Sequence, residues 1–441
     1  MTPAARIASA IELVDRIEGS RIPTDALLAE HFRARRFIGS KDRGAIAETV
    51  YAYLRRRGQV DWWIERQGWG RVGTTARARM VGLLLLERKA AAGEIAHLFD
   101  DGPYHPRRLN PDEQGIVEAL AGKPIAHPDQ PVWVETNYPE WLHPHLVAVF
   151  GDAVGREMAA LDVPAPLDLR VNALAGTREQ AIASLARDQI RAVPTEWSPW
   201  GLRLDKRVAL QTVDAWKSGL VEVQDEGSQL VAMLLGARAG MRVVDFCAGA
   251  GGKTLAIAAG MENKGQIIAC DTSAKRLEGA TVRLRRAGVH NVERRHIESE
   301  RDKWVKRHAG AFDRVLADAP CTGTGTWRRN PDGRWRLTEQ DLAELVDLQG
   351  RILDSCARLV KPGGRLVYAT CSILAEENEA QVERFLAAHA DFRAVPVADA
   401  WPAGQPNPAT GLEAFPGPAL RLSPARHGTD GFFAALLERA A

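Results

Sequence analysis

The first 246 residues of this 441-residue chain contain no cysteine, and the five that follow stand at 247, 270, 321, 356 and 371. An odd, scattered set argues against a disulfide framework. With no Cys-x-x-Cys pair and no histidine at ligand spacing, no metal site is expected. Excess charge of one sign is lacking too: 58 Lys and Arg against 56 Asp and Glu leave a net +2. Nothing global therefore demands a polyanionic partner, and any nucleic-acid surface must come from local clustering. The longest apolar runs fall well short of a membrane span. The start, Ala5 to Glu18, lacks the apolar block of a signal peptide. A cytoplasmic chain with no membrane partner is expected. Internal repeats are absent, and the Pro/Gly-rich loop from Pro402 to Pro418 is the one biased tract.

What remains is a globular composition, 45% hydrophobic and 26% charged, in a chain long enough for two or three domains. Residues 1–130 read as an all-α domain. Ile7, Ala10, Ile11, Val14 and Ile17 recur at helical spacing, and Arg77 to Ala92 is a further apolar-faced helix. Between them Arg33 to Arg43 concentrates basic residues, either a solvated face or a phosphate-tracking patch. Pro124 to Pro131 marks a linker. Residues 131–227 read as a small α+β domain: a helical stretch from Tyr138 to Leu161, a strand at Leu167–Asn172, a helix at Arg178–Asp188, and short strands at 202–204 and 221–224. From 228 to 441 strands and helices alternate, the pattern of a mostly parallel Rossmann-like α/β sheet with right-handed crossovers.

Chemistry-bearing residues gather at strand ends in this last part. The run Val315–Ala317 reads as a buried strand ending in Asp318, Pro320 and Cys321, with Gly323 and Gly325 beyond. About one crossover later, Leu366–Thr370 delivers Cys371 and Ser372 in the same way. Ligands of open α/β sheets sit beyond the carboxyl ends of strands, so two thiols and a carboxylate are expected at one edge. Met241–Phe246 is a third strand, followed by Cys247-Ala248-Gly249-Ala250-Gly251-Gly252-Lys253-Thr254 and a helix. The glycines allow close backbone approach to a ligand, and the helix N-terminus favours its negative end. The next strand ends in Asp271, at the distance expected of an acid that grips ribose hydroxyls. Asp271 also suits a helix cap. The loop is neither Gly-x-Gly-x-x-Gly nor a P-loop, and it suits S-adenosylmethionine better than either ligand of those motifs.

The glycine loop, Asp318 to Gly325, and Thr370-Cys371-Ser372 with Glu376-Glu377-Asn378 resemble the RNA 5-methylcytosine methyltransferases, most nearly those of the bacterial small-subunit rRNA methyltransferase B type. The similarity spans about Gln224 to Phe392, with His427 to Phe433 also alike, and the front resembles the NusB-type helical domain some members carry. The resemblance implies transfer of a methyl group from S-adenosylmethionine to carbon 5 of a cytidine through a covalent cysteine–cytosine adduct. It assigns Cys371 as nucleophile, Cys321 as the thiol assisting release, and Asp318 as the acid or hydrogen-bonding partner at the base. Cofactor contacts are expected from Cys247, Ala248, Gly249, Ala250, Gly251, Gly252, Lys253, Asp271, Arg276, Glu298 and Asp318. Glu298 stands near where many members place an aspartate. The thiols cannot be ordered from the residues alone; that order rests on the family.

The implied partner is RNA, rRNA before tRNA, bound by a monomer. A non-catalytic RNA assembly factor is the rival of another class, and the intact Asp318, Cys321 and Cys371 set argues against it. RNA contacts are expected from Trp327 to Arg336, where basic and aromatic residues interleave, and from the Arg170-Val171-Asn172 segment. Arg283 to Arg295 reads as a solvated helix face.

Overall fold

The computed structural model describes residues 1–69, 75–410 and 415–441, so residues 411–414 of the Pro/Gly-rich loop lie outside the described residues. The chain divides into two compact units, Met1–Val163 with Trp327–Leu337 and Pro164–Thr326 with Thr338–Ala441. No helix among the described residues is long and apolar enough to cross a membrane.

The first unit is helical. Ile7, Ala10, Val14 and Ile17 form the buried stripe of Pro3–Glu18, whose first turn is closed by Thr2 accepting the Ala5 N–H. The helix expected over Arg77 to Ala92 runs only over Ala76–Leu86; the chain takes a left-handed turn at Lys89 and restarts at Ala92–Leu98. Residues 131–163, grouped on sequence pattern with the small α+β domain, are short helices that cluster with this first unit.

The larger departure is Trp327–Leu337. The segment, expected to meet RNA, packs with the helical unit, and its Trp327, Arg328, Asp332 and Arg334 are buried, while Arg329, Trp335 and Arg336 are half-buried and Asn330 is exposed. Arg334 Nη1 donates to Asp162 Oδ1 at 2.8 Å and to the Asn137 carbonyl at 2.7 Å. Trp335 Nε1 donates to the Leu54 carbonyl at 3.1 Å. Interleaved Arg and Trp serve a protein crevice with buried carbonyls as well as they serve a nucleic acid. Which surface they meet is a tertiary matter.

The second unit begins with a small antiparallel sheet. Its strands are β1 (Leu167–Val171), β2 (Ala192–Pro194), β3 (Gly201–Leu204) and β4 (Val221–Val223), in the order β2-β3-β1-β4. Arg170 and Asn172 are buried here rather than offered to RNA. Asn172 Nδ2 bonds the Gly219 and Ala287 carbonyls at 3.0 and 2.9 Å, and Arg170 lies cross-strand from Glu222. Nor are Arg283 and Arg286 merely solvated. Arg286 Nη2 donates to both Glu222 oxygens at 2.6 Å, and Arg283 Nη1 to the Ala250 carbonyl at 2.8 Å.

The larger sheet contains β5 (Arg242–Asp245), β6 (Gln266–Asp271), β7 (Val292–His296), β8 (Phe312–Asp318), β9 (Val360–Thr370), β10 (Phe392–Val395), β11 (Leu420–Leu422) and β12 (Phe432–Arg439). Its order is β10-β12-β9-β8-β5-β6-β7, with β11 on β12. Strands β5 to β9 are parallel, as the alternation with helices predicts. The end of the chain departs from it: β12 runs antiparallel beside both β9 and β10. Its apolar run, Phe432 to Leu437, is buried throughout. A strand covered on both faces carries no alternation that would record its direction. Separate clusters fill the two faces, one around Phe312, Leu353 and Tyr368, the other around Leu230, Ile257 and Leu436.

Candidate active site

Strand order reverses between β5 and β8, since β6 and β7 lie on one side of β5 and β8 and β9 on the other. A crevice at such a switch point, beyond the carboxyl ends of the strands, is where α/β folds take their ligands. A cavity of about 370 Å³ opens there, lined among others by Cys247, Lys253, Asp271, Arg276, Asp318, Cys321 and Cys371. Phe246, Ile297, Leu348 and Ile352 supply apolar wall.

The glycine loop leaves β5 and turns into the helix Gly252–Gly260. Gly249 adopts φ 55°, a left-handed conformation that an L side chain rarely takes, and its N–H donates to Asp271 Oδ2 at 2.7 Å. The other oxygen, Asp271 Oδ1, accepts the Ser273 N–H at 2.7 Å. Asp271 is therefore not the cap of the next helix. Ser273 is, accepting from the Arg276 N–H ahead of Ala274–Arg286. Arg276 stands over the loop with Nη1 3.6 Å from Asp271 and its side chain 63% exposed. The helix Gly252–Gly260 has no side-chain cap, so its first N–H groups are open to an anionic ligand end.

The Lys253 side chain, 10% exposed, turns toward the end of β8. Nζ donates to Asp318 Oδ2 at 2.8 Å and lies 5.3 Å from the centre of the Phe432 ring. Burial alone would lower the ammonium, but the Asp318 carboxylate outweighs it and holds Lys253 above its ordinary value; Cys371 adds to the same effect. Beneath the loop, Asp245 Oδ2 accepts the Thr254 hydroxyl at 2.6 Å, while Oδ1 has no partner among the described residues. Burial pushes its carboxyl up to about 7.

The two thiols, fifty residues apart in sequence, meet at the ends of β8 and β9 with Cys321 Sγ 3.4 Å from Cys371 Sγ. The Cys321 thiol is pushed well above its ordinary value, first by its hydrogen bond to the Cys371 sulfur and then by burial. The chain segments that carry them are stitched together: the Gly325 N–H donates to the Cys371 carbonyl at 2.9 Å, and the Gly431 N–H to the Gly325 carbonyl at 2.8 Å. A Cβ on Gly325 would lie 2.2 Å from the Gly431 oxygen, so only glycine permits this approach.

Of the residues singled out in the sequence, the cavity gathers Cys247, Lys253, Asp271, Arg276, Asp318, Cys321 and Cys371. Ala248, Gly249, Ala250 and Gly251 form the turn that follows Cys247, and Gly252 opens the helix that carries Lys253; none of the five is among the residues that line the cavity. Glu298 is not brought in. It is exposed on the turn after β7, and Glu300 lines the cavity instead, with Oε1 2.8 Å from Arg351. Nothing in the local pattern distinguishes the two glutamates, because the turn between them decides which one faces inward. Phe432 also lines the cavity, on a strand whose place in the sheet the sequence did not reveal.

A switch-point cavity beneath an uncapped, glycine-started helix, with an acid at the end of the second parallel strand, defines an S-adenosylmethionine-dependent methyltransferase of Rossmann-like fold. The paired thiols narrow that class, and comparison of the whole chain names its branch. The chain belongs to the RsmB/F family of 16S rRNA methyltransferases, whose description matches residues 232–438. Residues 138–211 match the ferredoxin-like domain of the same RsmF/B-like group. The probable ribosomal RNA small subunit methyltransferase B of Synechocystis is 38% identical, with 91% of this chain and 92% of that one covered. The ribosomal RNA small subunit methyltransferase B of Pectobacterium carotovorum is 31% identical over 93% of each chain. Among solved structures, a methyltransferase homologue from Pyrococcus horikoshii is 29% identical with a TM-score of 0.60, covering 70% of this chain and 97% of its own. The protein PH0851 reaches a TM-score of 0.80 at 28% identity over 100% and 99% of the two chains.

Proposed function

We propose that this chain methylates carbon 5 of a cytidine in 16S rRNA through a covalent adduct with Cys371. The observation that carries the reading is the 3.4 Å approach of Cys321 and Cys371 beside the Lys253–Asp318 pair. Bound S-adenosylmethionine supplies an electrophilic methyl group for carbon 5. The loop Cys247–Lys253, Asp271 and Arg276 are the residues to hold it, with Glu300 rather than Glu298 toward the apolar wall.

Cytosine carbon 5 is a poor nucleophile until a group adds at carbon 6. Cys371 adds there as the thiolate, in the cavity that Lys253 also lines. Electron density moves to ring nitrogen 3, which takes a proton relayed from the Lys253 ammonium through Asp318 and hands it back once carbon 5 carries the methyl group. In the release step the carbon 5 hydrogen leaves as a proton to water in the cavity. Its electron pair re-forms the ring double bond, the carbon 6–sulfur bond breaks, and that pair returns to Cys371. The Cys321 S–H donates to the departing sulfur, which lies within its reach at 3.4 Å. The target base must leave its stack to reach such a cavity. In the helical unit Arg33, Arg36 and Lys41 are exposed around Phe37, itself 78% exposed. That mix of cations and an open aromatic face fits single-stranded RNA.

The test is the fate of the two thiols. Cys371→Ala abolishes methylation of 16S rRNA while cofactor affinity stays within a few-fold. Cys321→Ala forms the adduct and releases it slowly, so RNA-linked protein survives a denaturing gel and disappears when Cys371→Ala is added. A linked band persisting in the double variant would make Cys321 the nucleophile.

A further inference from the structure

Glu377 is fully buried on the turn Ala375–Glu377 that follows β9. Its carboxylate meets only donors. Oε1 accepts the Thr322 N–H at 2.9 Å and Gln349 Nε2 at 2.8 Å, and Oε2 accepts the Thr322 hydroxyl at 2.5 Å. Gln349 Nε2 also donates to the Pro320 carbonyl at 2.9 Å, so the residues on both sides of Cys321 are held. The main chain of Glu377 is fixed in turn to the strand that ends at Cys371: its carbonyl accepts the hydroxyl of Tyr368, a buried residue of β9.

One residue thus ties the β9 end, which carries Cys371, to the loop that carries Cys321. The mechanism above leaves this buried acid without a task, and its surroundings are specific. Three uncharged donors converge on two oxygens, and only a carboxylate accepts all of them. An amide keeps one oxygen for the Thr322 N–H and Gln349 and sets its N–H₂ against the Thr322 hydroxyl, which must turn its own proton toward Thr324 or Ser372 and no longer donates to residue 377.

We propose that Glu377 is a positioning residue for the release step, holding Cys321 Sγ within hydrogen-bond reach of the Cys371 sulfur as the carbon 6–sulfur bond breaks and its electron pair returns to Cys371. The inference rests on the two-thiol reading given above. A sulfur displaced by about an ångström no longer donates along the breaking bond, and misplacement of that size costs on the order of a hundredfold in rate. Addition at carbon 6 does not need Cys321, so adduct formation survives the change.

The experiment compares Glu377→Gln, Thr322→Val and Cys321→Ala as full-length chains with 16S rRNA and S-adenosylmethionine. Linked protein on denaturing gels and cofactor affinity by calorimetry are the two readouts. Glu377→Gln and Thr322→Val accumulate linked RNA at least tenfold over the parent, as Cys321→Ala does, with cofactor affinity within about threefold. Thr322→Ser, which restores the hydroxyl, releases RNA at least tenfold faster than Thr322→Val. Should Glu377→Gln fail to fold, Thr322→Val decides the matter from the other side of the same contact. Release at the parent rate in both variants, or loss of adduct formation with cofactor binding intact, overturns the role of Glu377. If Cys321→Ala accumulates linked RNA and the other variants do not, Glu377 alone is misassigned. If Cys321→Ala accumulates none, the two-thiol reading falls and this inference with it.

Discussion

Asp245 illustrates how a single side chain under the glycine loop couples stability to pH. Its folded-state carboxyl is pushed up to about 7 from an ordinary value of 3.8, because burial opposes charge more strongly than the Thr254 hydroxyl favours it. At acid pH below the ordinary value both folded and unfolded chains carry the proton. Between that value and about 7 the unfolded chain loses it and the folded chain keeps it, so stability falls with rising pH and then levels off. Asp245→Asn keeps an oxygen for Thr254 and removes this dependence. At about pH 8 the variant is expected to exceed the parent by a few kcal/mol, since each tenfold difference in proton affinity between the folded and unfolded chains is worth about 1.4 kcal/mol. Urea denaturation at about pH 5 and about pH 8 measures it, and equal pH slopes in the two proteins would contradict the assignment.

At the scale of elements, the loop from Phe246 to Gly252 is shaped by what receives its N–H groups. Asp271 divides its two oxygens between Gly249 on that loop and Ser273 at the head of the following helix. It therefore holds together the two chain segments between which the cofactor is proposed to sit. Asp271→Ala leaves both N–H groups without their acceptors and should weaken S-adenosylmethionine binding by roughly 1–3 kcal/mol. Calorimetry on the folded variant checks this, and unchanged affinity would leave Asp271 without a part in the site.

At the scale of the whole molecule, Trp327–Leu337 belongs by its packing to the helical unit while the chain on both sides of it belongs to the other. The anchor is Arg334. Burial lowers its pKa against the opposing Asp162 carboxylate, and its Nη1 and Nη2 bond Asp162 and the Asn137 and Leu161 carbonyls. Asp162 is also held by Arg56 at 3.0 Å. Removing one partner of such a buried pair typically costs about 3–5 kcal/mol. Arg334→Ala is accordingly expected to lower the urea midpoint of the full chain by a loss of that size. A midpoint indistinguishable from the parent's would show that the segment is held by something other than this ion pair.

The sequence by itself determined what depends on local order: helical periodicity in the front of the chain, strand–helix alternation behind it, and strand ends bearing Cys321, Cys371, Asp318, the glycine loop and Asp271. Parallel strands place their carboxyl ends along one edge, so residues at those ends converge once the alternation is recognised. Tertiary structure decided everything in which one pattern serves two surroundings. The Arg and Trp of 327–336 found buried carbonyls and Asp162, and Arg170 and Asn172 were covered within the second unit. Lys253 turned inward to Asp318, and Glu300 rather than Glu298 reached the cavity. A charged side chain carries no mark of its partner in the sequence. Which partner it meets is set by contacts between residues far apart in the chain, and only folding brings those together.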